Sequence, residues 1–159
     1  MIELPVKILF CKGKSLFSKL IRFFTGEPAS HVALLVDDMW VVHSNMRGVH
    51  IESISSFIRK SEIIGKTDNI PTKLDLMEEL ATNSFHFYDI PAILWLGGRY
   101  LLKKIFGWKI PKVNLWQTTG LFLCTEWVTK ILEGEEDSTI TPYQLLLKYK
   151  DHLTHGDMK

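Results

Sequence analysis

The 159-residue chain is 46% apolar, with nine Phe and five Trp, which is too apolar and aromatic for a disordered segment and enough for one domain with a real core. Nineteen Lys and Arg against eighteen Asp and Glu give a formal charge of +1. Without a basic block there is no case for a nucleic-acid partner, and two cysteines, Cys11 and Cys124, are too few for a disulfide framework.

The opening MIELPVKILFCKGK carries Glu3 and no small-residue cleavage site, which is a poor signal peptide. No apolar run reaches the ~20 residues of a membrane span. The expectation is a cytoplasmic chain with reduced thiols. Residues 5–11 read as a strand between Pro5 and Gly13. Residues 15–24 read as a helix capped by Ser15, with Leu16, Phe17, Leu20, Ile21 and Phe24 on one side. Residues 31–36 and 40–44 form a hairpin across Asp37-Asp38, and 49–52 add a third strand after Gly48. A helical turn at 54–58 and a strand at 61–66 follow. Consecutive short strands favour an antiparallel sheet over βαβ units.

Helices dominate the second half. A capping box of Thr72 and Asp75 opens a helix over 72–83. An apolar stretch spans 89–106, interrupted by Gly97-Gly98, and 107–120 reads as loop. Residues 124–132 read as a helix stopped by Gly134. Thr141 and Pro142 start a last helix over 142–150, and the tail from Asp151 reads as frayed. The whole is an α+β chain, 1–159 in a single domain.

Cys124 stands at a helix start, where the helix dipole favours a thiolate. Alone this signal is weak, because buried structural cysteines are common. Cys11 lies inside an apolar strand and reads as core. Of six histidines, His31 begins one strand of the hairpin and His43 lies near the end of the other. Antiparallel pairing brings those ends together, so one ring can act as base and the other can fix its tautomer. The alternative is two half-buried rings satisfied by backbone carbonyls. Zinc held by His31, His43 and Cys124 is chemically suitable, but no close ligand spacing supports it, and no metal or cofactor is expected.

Several segments together resemble the NlpC/P60 superfamily of papain-like cysteine hydrolases, in its circularly permuted, YiiX-like branch, where the histidine precedes the cysteine. The run from Val6 to Val36, with its Ser-His-Val-Ala strand, resembles the opening of permuted members. Trp40 to Ser44, Tyr88-Asp89, the box around Cys124 (FLCTEWV) and Thr141-Pro142 follow in the family's order. Leu4-Pro5 and Thr125 depart from the usual residues, and 97–120 resembles a variable insertion. The resemblance implies a papain-like fold with a central antiparallel sheet and packed helices. It also implies Cys124 as nucleophile, His31 as base and His43 as the orienting residue.

The chemistry so implied is acyl transfer to water through an acyl-enzyme, with backbone N–H groups near Cys124 as oxyanion donors. The groove walls expected at 44–50, 86–92 and 107–120 carry Asn45, Tyr88 and Trp116, which suit a peptide or amide such as a cell-wall stem peptide. A lipid- or ester-directed acyl hydrolase or acyltransferase, resting on a membrane through 15–24 and 93–106, is the second reading. A catalytically silent binding protein is the third. A monomer is expected.

Overall fold

Asp37 and Asp38 both adopt positive φ, 50° and 54°, and so make the tight turn that the sequence expects between two strands. This is type I′ geometry, whose twist matches the flanking strands and which aspartate tolerates. In the computed structural model, which describes residues 5–45, 48–83, 124–135 and 140–154, the turn joins β2 (His31–Val36) to β3 (Trp40–Asn45). With β1 (Lys7–Gly13), β4 (Gly48–Ser53) and β5 (Ser61–Lys66) they form one sheet in the order β4-β3-β2-β1-β5. Every neighbouring pair is antiparallel.

Side chains alternate across a strand, so each strand supplies two cores. Ile8, Phe10, Val32, Leu34, Val42 and Val49 face α4 (Cys124–Glu133) and α5 (Pro142–Lys148). Leu9, Cys11, Ala33, Leu35 and Val41 face α2 (Ile54–Lys60), which presses Phe57 onto them. In α4, Trp127, Val128, Ile131 and Leu132 recur at helical spacing and are all buried. Gly65 lets α5 approach, because a Cβ there would lie 3.3 Å from Leu146 Cδ1 and 3.6 Å from Phe10 Cδ2.

The remaining helices are α1 (Leu16–Thr25) and α3 (Leu76–Asn83). Ser15 caps α1 as expected, its hydroxyl accepting from Ser18 N–H. Leu16, Leu20 and Phe23 of α1 are exposed. The sequence places the start of α3 too early. Asp75 caps it, its Oδ1 accepting from Met77 N–H at 2.9 Å and Glu78 N–H at 3.2 Å. The helix does not begin earlier because the N–H groups of Lys73 and Leu74 donate to Ile131 O, a carbonyl in the last turn of α4.

The tail expectation also needs correction. Helix α5 keeps its Thr141 cap, with Gln144 completing a capping box, but ends at Lys148. A 3₁₀ turn over Lys150–His152 carries the chain back to β5. There Asp68 N–H donates to His152 O at 2.8 Å and Thr154 N–H to Lys66 O at 2.9 Å. Residues 151–154 are therefore held by the sheet edge and not frayed, while 155–159 lie outside the described residues. So do the apolar stretch 89–106 and the segment 107–120. Among the described residues no helix is long and apolar enough to cross a membrane.

Candidate active site

The β2–β3 register pairs Leu34 with Val42 and Leu35 with Val41. Extending that register sets Ala33 opposite His43 and makes His31 its diagonal neighbour on the same side. The two rings meet as the sequence expects. His31 Nε2 lies 3.0 Å from His43 Nδ1, with the ring planes at 80°. Both stand beside Phe57, at centroid distances of 6.2 and 5.1 Å.

The next strand extends the chain of contacts beyond what the sequence suggests. His43 pairs with His50 in β4, and Glu52, two residues on, shares their face. His43 Nε2 lies 2.9 Å from Glu52 Oε1. Glu52 Oε2 accepts from Ser56 Oγ and Lys60 Nζ, each at 2.7 Å. Positions 52, 56 and 60 repeat every four residues because β4 runs straight into α2, whose first turns stand over the strand end. That spacing, beside the alternation of His50 and Glu52, is the signal in the sequence that would have found them.

Electrostatics fixes the protons. Burial raises Glu52, but hydrogen bonds from Lys60, Ser56 and His43 outweigh it and hold the carboxyl down at about 2. Burial and the neighbouring His50 hold His43 down at about 4, against the pull of Glu52. Burial, then His43 and His50, hold His31 down at about 3. Near neutral pH both rings are uncharged and Glu52 is a carboxylate, which only accepts hydrogen bonds. His43 must then carry its proton on Nε2. Its Nδ1 is left with a lone pair, so His31 must donate from Nε2. One order of protons remains, and it makes His31 Nδ1 the basic atom.

Cys124 is the first residue of α4 and is 3% exposed. It belongs to the core cluster of Val32, Leu34 and Val42, on the opposite side of the sheet from the pleat that directs His31 and His43. His31 is the first residue of β2. Cys11, paired with His31 across β1 and β2, lies in the same neighbourhood. It is fully buried, and burial first, the charge of the Cys124 thiolate second, push its thiol far above the ordinary range. Cys11 is thus a core thiol, as expected from sequence.

Of the expected groove residues, Asn45 closes β3 opposite Gly48. Tyr88 and Trp116 lie outside the described residues. Glu126, whose charge suits a helix start, is buried in α4. Compared with protein-family models and with curated proteins, the chain matches none.

Proposed function

We propose that the chain is a papain-like cysteine hydrolase, of the circularly permuted NlpC/P60 type, that cleaves an amide or peptide bond. The carrying observation is the ordered relay Glu52–His43–His31, which leaves an unprotonated Nδ1 on His31. In this reading His31 Nδ1 takes the proton of Cys124 at the end of β2. The thiolate attacks the carbonyl, the first N–H groups of α4 hold the oxyanion, and water releases the acyl-enzyme. His43 positions His31, and Glu52 fixes the tautomer of both. The protein acts in the cytoplasm, and wall peptide or another short acidic peptide is the favoured substrate.

The exposed Leu16, Leu20 and Phe23 of α1, with Lys19 and Arg22 among them, favour a second reading in which the acyl group comes from a membrane lipid. One experiment separates the two. Wild type and Cys124→Ala are assayed on cell-wall fragments, small peptides, acylated thiols and phospholipid vesicles. Cysteine-dependent release from peptides supports the first reading, and release from phospholipid alone supports the second. Iodoacetamide labelling followed by mass spectrometry tests the shared core. Cys124 is expected to react faster than Cys11, and His31→Gln to remove most of that difference. Equal rates in the folded wild type would overturn an activated nucleophile.

A further inference from the structure

At the outer end of the relay, His43, His50 and Glu52 each offer one ligand atom, and these atoms all lie within 4.8 Å of one another. Tetrahedral zinc with ligands at about 2.1 Å needs them about 3.4 Å apart, so small side-chain rotations suffice. The cluster is held as metal sites are held. His50 Nδ1 lies 3.2 Å from Gly48 O, an acceptor, so this nitrogen carries the proton and Nε2 the lone pair. Glu52 Oε2 is fixed by Ser56 and Lys60, which leaves Oε1 as the oxygen turned toward the imidazoles. His43 is anchored through Nδ1 by His31 and turns Nε2 to the same point. The three ligands come from adjacent strands, with His43 and His50 directly paired and their ring centroids 4.2 Å apart. Two imidazoles and one carboxylate are a donor set suited to zinc, with the fourth position left to water.

We propose that His43 Nε2, His50 Nε2 and Glu52 Oε1 form a zinc site whose occupation switches off the basic nitrogen of His31. The site stands by itself, and the switch rests on the hydrolase reading above. The proton balance is as follows. Zinc takes the lone pair of His43 Nε2, and the proton there leaves to solvent. The neutral ring then carries its proton on Nδ1, received from His31 Nε2. His31 in turn takes one proton on Nδ1 from solvent. One proton leaves and one enters, the His31–His43 hydrogen bond is reversed, zinc takes the place of the hydrogen bond between His43 and Glu52, and His31 now points a donor where it had an acceptor. Cys124 keeps its proton, having lost the partner that would take it.

The test uses the full chain, stripped with a chelator, titrated with zinc chloride by calorimetry and with cobalt(II) by visible absorption. Binding is expected at one site, weakened at least about 10-fold by His50→Gln and unchanged by Cys124→Ser. His50→Gln keeps a side chain of similar length at a half-buried position, and a thermal melt verifies its fold. Saturating zinc is expected to slow iodoacetamide labelling of Cys124 at least about 10-fold in wild type. In His50→Gln the same zinc concentration should leave labelling close to that variant's own metal-free rate. No binding by either titration overturns the site. Binding that survives His50→Gln but vanishes in Cys124→Ser places the metal on the thiol and also overturns it. Binding with undiminished labelling overturns the switch. A Cys124 that is inert without metal overturns the hydrolase reading and the switch with it, while calorimetry still decides the site.

Discussion

The two sides of the sheet are made from alternate residues of the same strands, yet they solve different problems. Beneath α4 and α5 the side chains are apolar, and Cys124 is one small member of a packed cluster. Beneath α2 the strands carry His31, His43 and Glu52, joined in a chain of hydrogen bonds, with His50 against the His43 ring and Phe57 beside the imidazoles. The first side holds the fold together through removal of apolar surface from water. The second holds polar groups that each depend on a neighbour, since a buried polar atom without a partner is costly. The larger apolar cluster and the relay thus lie on opposite sides of one layer.

Substitutions can break this contrast. The largest expected effect is on the helix side. Trp127 is fully buried, and Trp127→Ala should cost about 3–5 kcal/mol in urea unfolding. A loss below about 1 kcal/mol would show that α4 does not anchor the sheet. On the other side the expected loss is in reactivity. Glu52→Gln keeps the shape but offers His43 a donor, which reverses the tautomers, so labelling of Cys124 should slow at least about 10-fold. An unchanged rate would remove Glu52 from the relay.

Acid sharpens the contrast further. His43 stays neutral in the fold down to about pH 4 and His31 to about pH 3, against 6.5 for an unperturbed histidine. As pH falls through 6.5 the unfolded chain binds protons that the folded chain does not. The stabilisation from these rings is complete above 6.5 and is lost progressively toward pH 4, by about 1.4 kcal/mol per pH unit for each net proton. Urea midpoints measured across that range should fall, and His43→Gln should flatten the slope. An identical slope in the variant would show that His43 is not buried neutral. The smallest effect belongs to a helix end. Thr141→Ala removes the cap of α5 and should cost about 1 kcal/mol, with no change in Cys124 labelling.

The local sequence determined much of the scaffold. Short continuous apolar runs in 31–36 and 40–44, with two aspartates between them, are sufficient for a hairpin, and that hairpin is what places His31 beside His43. Ser15, Thr141 and Gly134 mark helix ends because capping is a contact among near neighbours. Where a backbone group finds its partner far along the chain, the local pattern misleads. Thr72 looks like a cap, but the N–H groups of Lys73 and Leu74 are taken by Ile131 O, far along the chain in α4, and the helix starts after Asp75. The tail looks free, but Thr154 returns to Lys66. The part Glu52 plays needs the β3–β4 register and the turn of α2 over the strand end. Cys124 carries the same lesson. A helix start is written in its neighbours, but which side of the sheet that helix covers, and so how the thiol stands to the imidazoles, is decided by the packing of α4 on Val32, Leu34 and Val42. Short-range hydrogen bonding and hydrophobic period can be read along the chain, whereas register between strands and the side a helix chooses are settled by contacts whose partners lie far apart in sequence.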